Sequence, residues 1–325
     1  MVDWYQVEND NEWNNIISNF TDVSFKQTYG WGRYQELMGW KVLKCACKEN
    51  KKIVTAAQCF YKVFFSFFVV VICPGGPIGD LSKINLNFSS LLKKRSKAKF
   101  IYIRIRLEKE YNSQDNLSIL NNGFFKPIFM LTKGLSMILN IEGEKWKRDI
   151  RRNWKRNLKK SKDLNIEIKI MDPINGVDIS NLYRKMSKNK NLNGQPSEKQ
   201  IHNIIKNNIN NIICVEARDT SQKIIAIRAA FFLNNQAWDL FAASSSEGRS
   251  MFASYSLFFK LIEECQNIEV KTYDLSGIDP IKNPGVYNFK NGTGAKQIKF
   301  LGEYEYTNNN LFKFLVNFYM RLTLK

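Results

Sequence analysis

Two stretches of the chain share one pattern, and this internal repeat restricts the fold more than any single motif does. They are residues 39–63 (GWKVLKCACKENKKIVTAAQCFYKV) and 211–235 (NIICVEARDTSQKIIAIRAAFFLNN). Each has an apolar run, a polar turn ending in lysine, and a β-branched run that contains Ala-Ala and closes on aromatic residues. Such alternation on both sides of a short polar turn predicts a β-hairpin in each half.

The elements that follow each hairpin correspond as well. A strand, a glycine-containing turn, a helix, a second strand and a closing loop with a last strand are predicted in the same order. This order is typical of a GNAT-like acyltransferase unit, so we predict an α+β fold of two tandem GNAT-like domains with mixed sheets flanked by helices. The paired segments are 67–73 and 238–243, then 82–97 and 250–267, then 99–108 and 269–277, and finally 121–131 and 291–304.

The domain organisation follows from this repeat, and a length of 325 residues suits two domains. We expect an N-terminal domain at 1–143, a basic helical junction at 144–164 and a C-terminal domain at 165–306. The last segment, 307–325, is predicted to be an amphipathic helix.

The junction has the sequence EGEKWKRDIRRNWKRNLKKSKDL at 142–164. Trp146, Ile150, Trp154 and Leu158 recur every four residues, which predicts one apolar helix face. Lysine and arginine cover the rest, and such weakly opposed positive charge repels itself unless phosphates compensate it. A solvated basic face is the alternative. The side chains to which we assign nucleic-acid contact are Arg151, Arg152, Lys155, Arg156 and Lys159.

The overall charge points the same way. The chain has 49 Lys and Arg against 30 Asp and Glu, a formal net charge of +19. A polyanionic partner would explain this excess, whether nucleic acid, an anionic membrane surface or a phosphate-rich substrate. Compositional drift in a chain rich in Asn, Lys and Ile is the alternative.

Histidine and cysteine usage excludes several kinds of chemistry. The only histidine is His202, on a polar segment, so Ser-His-Asp and Cys-His catalysis and multi-histidine metal sites are excluded. The six cysteines form no CxxC pair and lie in apolar segments, as in the reduced core of a cytosolic protein. Residues 1–10 do not look like a signal peptide. We therefore expect a cytoplasmic protein that needs no metal or cofactor.

The stretch YDLSGIDPIKNPGVYNFKNGTGAKQIKFLGEYEY, residues 273–306, contains the candidate catalytic group. A strand is predicted at 273–276, a Gly- and Pro-containing loop follows, and a strand is predicted to resume at Tyr287. Phe289 and Lys290 come directly after this loop. A cation fixed in a dry cleft beside a shaping loop can stabilise an oxyanion. A lysine that reaches solvent from a strand end is the alternative.

Taken together, these segments resemble the Fem (FemABX-type) family of nonribosomal peptidyltransferases. FKQTYGWGRYQELMGWKV at 25–42 is similar to the family's N-terminal signature, and the basic junction and the 273–306 stretch are similar to its later motifs. The resemblance covers nearly the whole chain and implies two GNAT-like domains. It also implies an aminoacyltransferase that uses aminoacyl-tRNA, with a peptidoglycan precursor or another envelope glycan precursor as acceptor.

The resemblance also suggests roles for single residues. Lys290 would be catalytic, and Phe289 would exclude water or stack on the terminal adenine of the tRNA. Asp274 is expected to orient the Gly277 loop rather than to act as a base. Arg106 stands where some members of the family have a carboxylate, and Phe241 where some have a tyrosine. These two departures concern the acceptor rather than the reaction. The residues expected to bind substrate are Arg33, Arg106, Tyr255, Asp274 and Gly277.

Two other functions remain open at this point. The first is a GNAT-like N-acyltransferase that uses acyl-CoA on an amino sugar of a surface glycan, and the second is a non-catalytic RNA-binding module. For the C-terminal run 308–325, we expect a helix whose apolar and basic residues contact an anionic membrane from its inner face. Packing of that helix on the second domain is the alternative.

Overall fold

The computed structural model describes residues 3–190 and 195–323. The chain forms two compact units. The first comprises the described residues up to Gly134 together with those from Lys299 onward, and the second is Leu135–Ile298. This division differs from the predicted domain limits at 143, 165 and 306. The basic segment lies inside the second unit, and the last strand and the C-terminal helix belong to the first.

The strands follow the repeat in both halves. Short polar turns with left-handed residues close the hairpins, as at Asn50 and Lys51 with φ values of 49° and 67°. The strands are β1 (Asp3–Val7), β2 (Lys41–Glu49), β3 (Lys52–Phe64), β4 (Phe68–Pro74), β5 (Ile78–Gly79), β6 (Phe100–Glu110), β7 (Leu135–Asn140), β8 (Glu167–Ile170), β9 (Ile212–Arg218), β10 (Ile224–Leu233), β11 (Gln236–Ser244), β12 (Thr272–Asp274) and β13 (Lys296–Thr307).

The helices begin with recognisable caps. Asn9 caps the first helix through its side chain, and Ser197 with Gln200 forms a capping box at the start of another. Short 3₁₀ turns occur at Phe25–Gln27, Leu81–Lys83 and Ile209–Asn211. The α-helices are α1 (Asp10–Ser18), α2 (Tyr29–Leu37), α3 (Leu86–Ser96), α4 (Ser113–Asn121), α5 (Lys145–Asp149), α6 (Arg152–Asp163), α7 (Gly176–Lys190), α8 (Glu198–Asn208), α9 (Ser246–Ser250), α10 (Ala253–Asn267), α11 (Pro284–Gly292) and α12 (Asn310–Thr323).

The two units pair their strands in the same way. In the first unit β1, β2, β3 and β4 are successively antiparallel, β4 is parallel to β6, and β6 is antiparallel to β13. In the second unit β8, β9, β10 and β11 are antiparallel, β11 is parallel to β12, and β12 is antiparallel to β7. The predicted hairpins at 39–63 and 211–235 are therefore present, and both units have a mixed sheet, as expected for a duplicated GNAT-like fold.

The closing strands do not follow the predicted assignment. The sequence predicts the last strand of the first half at residues 121–131, but only Phe125 makes an isolated bridge there, to Glu305. The first unit instead uses β13 from the far end of the chain, and the second unit uses β7. Pro127 removes a backbone donor from the 121–131 run, which disfavours a paired strand.

Each unit has its own core. In the first, Trp4, Phe88 and Phe124 pack among the sheet residues, and in the second, Trp146 and Phe258 do so. All six cysteines are buried and unpaired, as expected for reduced core residues.

The C-terminal helix α12 packs on the first unit, not on the second as the alternative prediction had it. Phe312, Val316 and Met320 are buried against Tyr102 of β6, next to Phe68. The predicted run extends to Lys325, which lies outside the described residues.

The basic segment forms two helices rather than one. α5 ends before Ile150, whose backbone is extended, and α6 begins after Arg151. Trp146, Trp154 and Leu158 are nevertheless buried, and so is Ile150, so the predicted apolar face is present on both pieces.

Candidate active site

Lys290 lies near the end of helix α11 and not on a strand, so the predicted strand at Tyr287 is wrong. Pro284 occupies the first turn of this helix, where its missing N–H costs nothing and its fixed φ favours the helical backbone. The Gly- and Pro-containing loop therefore leads into a helix that carries Phe289 and Lys290 inward.

The ammonium group of Lys290 is buried and held by backbone carbonyls. The residue is 7% exposed, and its Nζ donates to the carbonyl oxygen of Gly277 at 2.9 Å and to that of Ser276 at 3.2 Å. A lysine ammonium has three donors. Two of them are used by the loop, which leaves one for a further acceptor.

The loop that presents these carbonyls is fixed by Asp274. Ser276 has φ of 63°, a left-handed conformation that is costly for a non-glycine residue. The Asp274 carboxylate accepts from the Ser276 N–H at 2.7 Å and from the Ser136 hydroxyl, and the Ser276 hydroxyl donates to the Asp239 carbonyl at 3.0 Å. These hydrogen bonds tie Asp274 to the loop, and its orienting role stays a prediction. The left-handed residue of this loop is Ser276.

A buried ion pair beside Lys290 was not predicted from the sequence. Arg228 of β10 donates to both carboxylate oxygens of Asp239 on β11, at 2.9 and 2.6 Å, and the Tyr273 hydroxyl donates to the same carboxylate at 2.9 Å. Arg228 is 5% exposed. The available signal was one arginine in the apolar run IIAIRAAFF, with one aspartate in the next strand.

The electrostatics of Lys290 follow from this setting. Burial lowers the pKa of Lys290 below its ordinary value, Asp239 and Asp274 oppose this change, and Arg228 adds to it. Burial also raises the pKa of Tyr273 well above its usual range, with Asp239 contributing, so this phenol stays protonated and acts as a donor. Arg228 and Lys290 thus face Asp239 and Asp274 in a buried group with balanced charges.

Phe289 belongs to an aromatic wall. Its ring packs against Trp154, Tyr255 and Phe258 at centroid distances of 5.8, 5.1 and 5.9 Å, and the Arg228 guanidinium lies 5.1 Å from it. Because the ring is enclosed on several sides, this packing favours the water-excluding role over stacking on a base. Tyr255 also accepts a hydrogen bond from Asn157 of α6 at 2.9 Å through its hydroxyl.

The basic helix α6 meets the end of the Lys290 helix. The Arg151 N–H donates to the Gly292 carbonyl at 2.9 Å, and its guanidinium donates to Asn291 at 2.9 Å. The approach requires glycine, since a Cβ at Gly292 would lie 2.7 Å from Trp154. The five side chains to which the sequence assigned nucleic-acid contact are all exposed: Arg151, Arg152, Lys155, Arg156 and Lys159.

The remaining predicted residues belong to the first unit. Arg33 is exposed on α2 and pairs with Glu36 at 2.6 Å. Arg106 on β6 pairs with Glu108 at 3.3 Å, and its buried Nε has no hydrogen-bond partner in the described part of the chain. Lys290, Phe289, Tyr255, Asp274 and Gly277 all lie in the second unit.

Part of the chain matches a known protein family. Residues 174–320 match the model of the FemAB family. The chain's resemblance to the Fem family is confirmed. The matched segment includes Lys290 and its loop, the Arg228–Asp239 pair and Tyr255. The match supports a transferase.

Solved structures support the fold. The crystal structure of FemX superposes with a TM-score of 0.81 at 15% identity, covering 96% of this chain and all of the other. The L-PGS structure from Bacillus licheniformis gives 0.58 at 10% identity, covering 95% and 96%. A tandem GNAT protein from the clavulanic acid biosynthesis pathway gives 0.57 at 8% identity, covering 95% and 99%. At these identities the matches establish the GNAT-like fold alone. No curated protein sequence matches the chain.

Proposed function

We propose that this Fem-type transferase moves an aminoacyl group from aminoacyl-tRNA to an amine of a cell-envelope precursor, as in the building of peptidoglycan bridges. The observation that carries the proposal is the buried Lys290 ammonium, with two donors held by the Ser276 and Gly277 carbonyls and a third available. An aminoacyl ester is already activated, so this reaction needs no histidine-based triad.

The chemistry can be written with the residues present. The acceptor amine attacks the ester carbonyl carbon, and the carbonyl electrons move onto oxygen, where the Lys290 ammonium would stabilise the oxyanion. Collapse then breaks the bond to the ribose oxygen, which leaves and takes up a proton, while the new amide nitrogen loses one. A preorganised donor of this kind typically contributes about 3–4 kcal/mol to lowering the barrier. The aromatic wall formed by Phe289, Trp154, Tyr255 and Phe258 would keep water from the ester.

We assign tRNA as the carrier of the aminoacyl group because a basic helix lies next to the site. The exposed basic face of α6 begins at Arg151, which is joined by hydrogen bonds to Asn291 and Gly292, directly after Lys290. A single-stranded tRNA end whose phosphates follow this face would reach the Lys290 helix.

The acyl-CoA alternative is less well supported. It would require free backbone donors at the start of a helix for the pyrophosphate. The helix start whose sequence is most similar to such a phosphate-binding loop is that of α9, which contains Gly248. The N–H of Gly248 is already bonded to the Ser245 hydroxyl at 3.0 Å. A Cβ there would lie 2.4 Å from the Ile225 carbonyl oxygen, so close packing explains this glycine.

The proposal can be tested by transfer assays with the purified full chain. Labelled aminoacyl-tRNA and labelled acetyl-CoA would each be offered with UDP-linked muropeptide or with an amino-sugar acceptor. We expect label to move only from aminoacyl-tRNA, and only to the peptide amine. Transfer from acetyl-CoA to the amino sugar would establish the alternative function and overturn the proposal.

The tRNA assignment has a separate test. Replacing Arg151, Arg152, Lys155 and Arg156 with Gln should weaken tRNA binding and reduce the slope of log affinity against log salt by roughly one for every phosphate that the helix no longer binds. The matched control removes as many charges from the first unit. An equal loss in both variants would mean that only net charge matters, and the assignment to α6 would be wrong. The four control positions are Lys93, Lys94, Arg95 and Lys97.

A further inference from the structure

Helix α12 has two apolar faces, and only one of them is covered. Phe312, Val316 and Met320 are buried on the first unit. A surface helix normally has one apolar stripe and a polar opposite face. On α12 the opposite face is also apolar, and its large side chains are between 51% and 71% exposed: Leu311, Phe314, Leu315, Phe318, Tyr319 and Leu322.

A second exposed apolar element lies beside this helix. The turn between β3 and β4 exposes Phe64, Phe65 and Phe67, with Phe65 82% exposed. The ring of Phe68, next in sequence, packs on Phe312 of α12 with centroids 4.5 Å apart. The hairpin tip and the helix therefore form one surface of the first unit, which we call the apolar face.

A third segment extends the apolar face along α12. The loop after α4 exposes Phe125, Ile128 and Met130. Lys313 of α12 lies 5.7 Å from the ring of Phe125, and Arg321 lies 4.7 Å from the ring of Phe129. Soluble monomers rarely expose contiguous apolar patches of this kind unless they bind something.

The border of the apolar face is basic. The last turn of α3 and the following residues supply Lys94, Arg95, Lys97 and Lys99, all exposed. This run ends at the hairpin tip, where the Lys99 N–H donates to the carbonyl of Phe67 at 3.0 Å. The α12 helix itself has no acidic residue and adds the exposed Arg321, while its Lys313 pairs with Glu305 at 3.1 Å.

The positive charge around the apolar face distinguishes between its possible binding partners. A second copy of this chain would bring an identical basic border against this one, with a net charge of +19 on each partner, which opposes association. An anionic lipid surface offers negative headgroups to the border and an apolar interior to the exposed aromatic and leucine side chains. In the described part of the chain no helix is long and apolar enough to cross a membrane.

We propose that the apolar face binds an anionic membrane surface peripherally, with α12 lying in the plane of the interface and the Phe65 tip inserted. The inference does not depend on the transfer reaction, because it concerns the first unit alone and needs neither tRNA nor acceptor. It would place a transferase of envelope precursors at a lipid surface.

Co-sedimentation of the full chain with vesicles tests the proposal. We expect wild type to bind vesicles of phosphatidylcholine with 30% phosphatidylglycerol, and to lose most of this binding in pure phosphatidylcholine or at high salt. Phe65→Ser/Phe314→Ser/Phe318→Ser should lower the partition coefficient at least tenfold. The matched control, Leu37→Ser/Leu86→Ser/Val177→Ser, removes the same number of exposed apolar side chains elsewhere and should bind as wild type does.

A labelling experiment supplies an independent measurement. Because all six native cysteines are buried, a Phe65→Cys variant would take an environment-sensitive fluorophore at one exposed thiol. We expect its emission to shift to the blue with anionic vesicles, and the same label at Leu37→Cys to stay unchanged. Absence of binding by wild type, or equal binding by the two triple variants, would overturn the proposal. A wild-type dimer that the Phe65 triple variant converts to monomer, without vesicle binding, would instead identify a second copy as the occupant.

Discussion

Replacing Lys290 with methionine tests the proposed chemistry most directly. Methionine keeps most of the aliphatic volume and removes the ammonium, so the aromatic wall can stay packed while the oxyanion loses its donor. Removal of one such donor usually lowers kcat by about 10²–10³. We expect a decrease of that size in kcat, with little change in KM for either substrate.

The effect of this substitution on stability can be worked out separately. Two backbone carbonyls, of Ser276 and Gly277, lose their donor, and each such loss costs about 1–3 kcal/mol in the free energy of unfolding. Removing a buried ammonium recovers a desolvation penalty of several kcal/mol at most. Because these terms are opposed and similar in size, the variant should fold.

The lowered pKa of Lys290 also predicts how the free energy of unfolding and kcat change with pH. Burial lowers the pKa of folded Lys290 below its unfolded value of about 10.5, so the unfolded chain binds more protons between these two values. Wild type should therefore gain stability relative to Lys290→Met as pH rises through this window. Its kcat should fall in the same window, because the ammonium that stabilises the oxyanion loses its proton.

Single-turnover transfer of labelled aminoacyl groups, together with urea unfolding at each pH, makes these measurements. Lys282→Met is the matched control, because Lys282 is an exposed lysine of the same loop and should leave kcat unchanged. A folded Lys290→Met enzyme that turns over at the wild-type rate would remove Lys290 from the chemistry.

Three further predictions concern the surrounding structure. Gly294→Ala should destabilise the protein by about 1–3 kcal/mol in urea unfolding, because Gly294 has φ of 85° and a Cβ there would lie 2.7 Å from the Asp149 carbonyl oxygen. The control Gly285→Ala has open space around it and should be neutral or slightly stabilising. Arg228→Met and Asp239→Asn should each cost about 3–5 kcal/mol, and the double variant clearly less than their sum, since each single change leaves an unpaired buried charge. Glu108→Gln should have a lower free energy of unfolding than wild type above about pH 4.5, and this difference should fade toward pH 2. Burial raises the pKa of Glu108, but neighbouring basic groups outweigh burial and lower the pKa to about 2.

Local pattern predicted the elements of the fold well, and long-range pairing less well. The hairpins at 39–63 and 211–235 were readable because alternation and turn residues are local properties. The use of β13 by the first unit and β7 by the second was not, because nothing local distinguishes a strand that pairs within its own half from one that does not. Pro127 was the one local signal against a strand at 121–131.

In the candidate site, the sequence pointed to Lys290 but not to the helix that carries it or to the ion pair beside it. Lys290 and Asp274 stood out because a lysine and an aspartate flank a loop rich in glycine and proline. The sequence predicted a strand where a helix carries Lys290. Tyr287 and Phe289 alternate with polar residues over too few positions to distinguish the two-residue period of a strand from the 3.6-residue period of a helix. Arg228 and Asp239 lie on neighbouring strands, and their pairing depends on register, which one sequence does not specify.

The balance of charges around Lys290 explains how a lysine can be both buried and useful as a cation. Asp239 and Asp274 favour its protonated form, while Arg228 takes up much of the Asp239 charge through two hydrogen bonds. The Lys290 ammonium itself donates to two backbone carbonyls rather than to a carboxylate. A developing oxyanion would add negative charge beside it and raise its pKa in the transition state. The stabilisation would then be larger in the transition state than in the ground state, which is the condition for a faster chemical step.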